Sequence, residues 1–249
     1  MKKIFLLLVL IPMFALAQTS DKNLTFTVNG VSFTMVYVKG GTYMMGGISG
    51  KGIHADTNER PVHSETVGDF WIGETEVTQA LWQAVMGSNL SKFIGRNLPV
   101  EQVSWDDCQL FVKKLNHLLS GRMPRGHRFR LPDEAEWEYA ARGGNCSGDY
   151  YFSGSNNIEN VAWYNHNSDN STHEVKTKNS NELGIYDMTG NVGEWCEDNW
   201  RHNYDASYIS SVRVFRGGDW DTPAMSSRVS SRSRCPQNSS MGLGLRIAL

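Results

Sequence analysis

Three stretches of the chain carry apolar residues at helical spacing. After Thr78, which can cap a helix, Leu81, Trp82, Val85 and Met86 fall on one side, and Gly87 ends the run. Ser104 and Asp107 have the spacing of a capping box; Cys108, Phe111, Val112, Leu115, Leu118 and Leu119 follow, and Gly121 stops them. Asp133 and Glu136 repeat the capping spacing, Trp137, Ala140 and Ala141 can face a core, and Gly143 and Gly144 terminate the segment. Elsewhere the period is two. Phe33, Met35 and Tyr37 alternate with Ser32, Thr34 and Val36, and Arg213-Val214-Phe215-Arg216 is a second candidate strand. Between Gly154 and Asn181, Asn, Ser and Asp crowd together and predict turns joining short strands, because Asn, Asp and Gly accept unusual backbone angles. The pattern is that of an α+β protein with much irregular structure.

The first residues follow another logic. Lys2 and Lys3 precede an apolar run from Ile4 to Leu16, interrupted only by Pro12 and followed by Ala17-Gln18. That is the layout of a cleavable secretory signal over residues 1–20, too short for a comfortable membrane span of about 20 apolar residues. No integral membrane segment is expected after its removal, and the product is expected to be periplasmic or secreted. No composition break divides the remainder, so residues 27–249 are read as one unit, long enough to bury a sizeable core.

Lys and Arg number 24 against 26 Asp and Glu, a formal net charge of −2, and no basic run stands out on this reading, which argues against nucleic acid as a partner. Cys108, Cys146, Cys196 and Cys235 allow three pairings in an oxidising compartment, and sequence does not choose among them. Cys108 sits on the apolar face of its helix.

Longer words then narrow the class. Arg130 to Gly144 (RLPDEAEWEYAARGG) and Gly184 to Trp195 (GIYDMTGNVGEW) are joined by Gly40 to Gly46, Glu76 to Gln79, Pro99 to Trp105, Arg216 to Trp220 (RGGDW) and Gly244 to Ala248. In order and extent this series resembles the formylglycine-generating enzyme family, also called sulfatase-modifying factors. The resemblance implies a compact variant of the C-type lectin fold. It also implies calcium held by the side chains of Asp187 and Glu194 and the backbone oxygens of Gly190 and Val192, a set suited to a hard cation. On local spacing alone the same residues read as a polar turn whose acids cap backbone amides. A second ion site at Asn160, Val161, Asn167 and Asp169 matches loosely, and there the loop reading is preferred.

Catalysis in the resembling family uses paired cysteines that hold copper, and soft thiolates suit Cu(I). Counting from Trp220, the matching positions are Thr222 and Ser227, whose hydroxyls do not replace thiolates, so copper is not expected. Gly193 stands where the family has Trp, which would open space beside Glu194. With Trp220, the arginines Arg228, Arg232 and Arg246 read equally well as a ligand groove or as internal ion pairs. No HExxH spacing and no Gly-x-Ser-x-Gly elbow offers another chemistry. The leading expectation is an extracytoplasmic scaffold binding a peptide, protein or glycan. Alternatives are a copper-dependent oxidase working through Cys235, and a structural component of a cell-surface assembly.

Overall fold

The structure, a computed structural model, describes residues 22–47, 55–207, 210–240 and 242–249. The leader expected at residues 1–20 lies outside the described residues. β1 (Leu24–Val28) and β2 (Val31–Val38) form an antiparallel hairpin whose turn, Asn29-Gly30, has φ of 48° and 79°, the left-handed pair that matches strand twist. β3 (Gly41–Met45) and β4 (His63–Val67) make a separate two-stranded ribbon, and β5 (Phe70–Gly73) returns to the other edge of β2. The second half supplies β6 (Gly193–Asn199), β7 (Arg213–Arg216), β8 (Ser233–Cys235) and β9 (Leu243–Gly244), in the order β8-β7-β6-β9, with β6 and β9 parallel.

All three expected helices are present. In α1 (Gln79–Met86) the Thr78 hydroxyl accepts the Leu81 amide, and Gly87 closes the helix at φ 86°. α2 (Trp105–Leu118) opens with the reciprocal Ser104 and Asp107 capping box, and α3 (Glu134–Ala141) with the same device at Asp133 and Glu136. Two details depart from the sequence pattern. Leu118, expected on the apolar face of α2, is 45% exposed; it is the last residue of the helix. α3 buries Glu134 and Glu138 as well as Trp137, Ala140 and Ala141, so it is enclosed on nearly every side.

β2 separates two cores, which is why its burial does not simply alternate: Met35 faces one, Val36 and Val38 the other. The first core lies under α1 and α2, where Trp82 stacks on Phe111 at 5.0 Å. The second gathers Phe70, Trp137, Ile185 and Trp200 around α3. Residues 245–249 are stitched to both halves. Leu249 and Trp71 exchange backbone hydrogen bonds, Ala248 and Arg130 do the same, and the Gly73 and Val77 amides donate to Ile247 and Leu245. No helix among the described residues is long and apolar enough to cross a membrane.

Candidate functional site

β7 ends in Gly217 and Gly218, at φ 91° and 70°, and the left-handed pair turns the chain sharply. A β-carbon on Gly218 would lie 2.5 Å from the Ser227 hydroxyl and 3.0 Å from the Thr222 methyl. The two positions picked by counting from Trp220 are therefore brought together over one glycine. Ser227 is buried; Thr222 is partly exposed and donates to Asp219 Oδ1 at 2.6 Å. Cys235 is elsewhere. It pairs with Arg213 at the start of β7, and a strand rise of about 3.3 Å per residue puts it roughly 15 Å from Gly218. All four cysteines are free thiols. Cys108 and Cys196 are buried, and burial pushes both thiols well up, away from the reactive thiolate.

Trp220 lies beside this turn, half-buried, its ring edge-on to Phe93 at 5.5 Å. Lys92 Nζ hangs over both rings, 4.8 Å from Phe93 and 5.5 Å from Trp220. Lys92 and Phe93 come from the connection between α1 and α2, where no sequence word pointed. Partly exposed rings under a cation, beside the partly exposed Thr222 hydroxyl, form a surface able to stack on a ligand and hydrogen-bond to it.

The arginines do not share that surface. Arg228 binds Glu59 at 2.6 Å, Arg232 binds Glu134 at 2.5 Å, and Arg246 binds Glu194 at 2.7 Å, all six side chains buried. The groove expectation is corrected for these three: their charges are spent on internal carboxylates, because an unpaired buried guanidinium would be far too costly. Arg216, which no sequence reading singled out as a site residue, joins Glu138, itself held by Arg142 at 2.7 Å. Burial alone would raise the Glu138 carboxyl, but Arg142 and Arg216 outweigh it and hold it below its usual range.

Asp187, Gly190, Val192 and Glu194 are gathered at the start of β6 by three left-handed residues, Asp187, Gly190 and Asn191. Asp187 is 4% and Glu194 1% exposed, and Glu76 adds a third buried carboxylate, tied to the Val192 amide and Asn191 Nδ2. Burial raises Asp187 to about 6, with Glu194 adding to the shift against the Lys176 amide and Arg246. Burial also pushes Glu76 well up, and Asp187 and Glu194 reinforce it. Burial thus favours the protonated forms of Asp187 and Glu76 beside the one guanidinium, and no group of three or more His, Cys, Asp or Glu among the described residues is arranged to hold a metal ion. Glu194 is already engaged, since Arg246 and Trp137 Nε1 supply four donor contacts to its two oxygens. Gly193 opens no space: a β-carbon there would meet Leu243 at 2.7 Å and Phe215 at 3.0 Å. Asn167 closes its own loop, accepting the Tyr164 amide and donating to Glu159 and Ala162.

Comparison with known proteins agrees with this arrangement. The sulfatase-modifying factor enzyme 1-like domain matches residues 24–249. The chain is 33% identical over 258 residues to the chaperone protein LppX of Paenibacillus barcinonensis, covering 86% of this chain and 87% of that one. Against the formylglycine-generating enzyme of Streptomyces coelicolor it is 30% identical over 290 residues, with 86% and 88% covered. Its fold superposes on Treponema denticola variable protein 1 with a TM-score of 0.80 at 34% identity, over 92% of this chain and 99% of that one. The architecture is accordingly the compact, C-type-lectin-like α+β fold. With a domain match from the first strand to the last residue and relatives of this identity, the chain belongs to the formylglycine-generating enzyme (sulfatase-modifying factor) family.

Proposed function

We propose that this chain is an extracytoplasmic binding scaffold that uses the formylglycine-generating enzyme fold without its oxidase chemistry, and that the Trp220, Phe93 and Lys92 face receives a peptide, protein or glycan. The observation that carries the reading is the Thr222 and Ser227 pair against Gly218: neither side chain is a thiol, where the resembling enzymes hold copper between thiolates, and Cys235 is opposite Arg213 at the far end of β7. A relative named as a chaperone protein favours a polypeptide ligand among the three. Incubation with copper, reductant, oxygen and a peptide bearing Cys-x-Pro-x-Arg is expected to give no aldehyde. Aldehyde that disappears in Cys235→Ser would overturn the reading.

Calcium belongs to the same proposal. Asp187 and the backbone oxygens of Gly190 and Val192 would hold it, with Glu194 joining by yielding part of its contact to Arg246 or Trp137, and the ion would favour the ionised form of Asp187. Export rests on the signal-like residues 1–20. A mature N-terminus near Ala17 in the extracytoplasmic fraction supports it, and an intact Met1 there counts against it.

A further inference from the structure

The chain has no Asp or Glu between Asp107 and Asp133, yet carries Lys113, Lys114, Arg122, Arg125, Arg128 and Arg130 there. The sequence therefore does contain a basic stretch, hidden by the balance of the whole. Among these cations Arg130 is paired, with Glu136 at 2.5 Å, and the other five enter no ion pair among the described residues. The loop that carries the arginines folds back on α2: Asn116 accepts the Phe129 amide and donates to the Phe129 carbonyl.

On the outer side of α2, Leu110, Lys113, Lys114, His117 and Leu118 recur at helical spacing as one stripe. With Val85 of α1 they line a groove of about 410 Å³. Leu110 is 44% and Leu118 45% exposed. A helix dipole acts on groups in the last turn, where His117 lies. That effect does not account for two leucines left half in water on either side of the lysines.

We infer that this groove docks an acidic amphipathic segment of a partner protein, laid along α2 with its apolar side chains between Leu110 and Leu118 and its carboxylates on Lys113, Lys114 and the arginines of the following loop. Charge complementarity selects an anionic occupant, and the concave apolar floor selects side chains that insert over a flat headgroup layer. The site shares no residue with the Trp220 face and stands or falls independently of it.

The test uses the full mature chain and a designed fluorescein-labelled peptide, helical, with leucines along one face and glutamates flanking them. Anisotropy is expected to report saturable binding that weakens with added salt and is absent for a scramble of the same composition. Lys113→Gln with Lys114→Gln, and separately Leu110→Ser with Leu118→Ser, are each expected to weaken it at least about tenfold. All four side chains are surface positions, and melting curves matching the parent would show the fold intact. Equal binding of the scramble, or parent-like binding by either double variant, overturns the inference. So does flotation of the chain with phosphatidylglycerol vesicles that the peptide does not compete away, which would assign the stripe to a membrane surface.

Discussion

Replacing Thr222 and Ser227 by cysteine is the most direct interrogation of single residues here. Both side chains lie against Gly218, so Thr222→Cys with Ser227→Cys would place two thiols at one turn. The double variant is expected to gain tight Cu(I) binding in competition with a chromogenic chelator, while the parent chain and either single variant stay weak. Failure of the double variant to compete would mean that the turn spaces the side chains wrongly for linear two-thiolate ligation. These two positions were legible in the sequence because they are counted from a long word, RGGDW, close by. The acids that anchor Arg228, Arg232 and Arg246 were not, since Glu59 lies 169 positions from its partner and Glu134 lies 98 from its own. An arginine alone does not announce whether it meets a ligand or a distant glutamate. Lys92 and Phe93 were invisible for a similar reason: what makes them a surface is Trp220, delivered from the other half of the chain.

At the scale of elements, the helices were readable from local chemistry. Ser104 and Asp107, Asp133 and Glu136, and Thr78 with Gly87 are caps whose partners are three or four residues away, a distance at which sequence spacing and spatial contact coincide. Burial of α3 was only half readable, because period and capping identify an apolar face but not a polar side chain that enters the interior with its counter-ion. Glu138 joins α3 to β7 through Arg216 and to its own last turn through Arg142, and its side chain is 0% exposed. Glu138→Ala would remove the carboxylate that Arg142 and Arg216 share, leaving Arg216 to Glu134 and backbone carbonyls, and is expected to cost about 3 kcal/mol in urea unfolding. A loss under about 1 kcal/mol would show that water reaches the pair and that α3 is less enclosed than its packing indicates.

Over the whole molecule, the buried carboxyls of the turn before β6 should make stability depend on pH and, on the calcium proposal, on calcium as well. The Asp187 carboxyl is raised from 3.8 to about 6 in the fold, so the folded state holds its proton longer than the unfolded chain does. Without calcium this contribution is full below 3.8, falls as pH rises and is gone above about 6; Asp187→Asn should flatten that fall. The calcium proposed above would bind the ionised form, so the rise it would cause in melting temperature is expected at about pH 7.5 and should vanish near pH 5. No rise at either pH would leave Arg246 as the cation of the turn. The seam between residues 71–77 and 245–249 carries a different consequence, one of time. Its hydrogen bonds join residues 71–77 to residues 245–249, far apart in sequence, so loop-closure entropy is overcome late and the two halves of the first core wait for each other. Folding should be slow and the native state, once the last strip is seated against Trp71, slow to open. The export proposed above would be served by that order of events: pliable until residues 245–249 are seated, and protease-resistant afterwards.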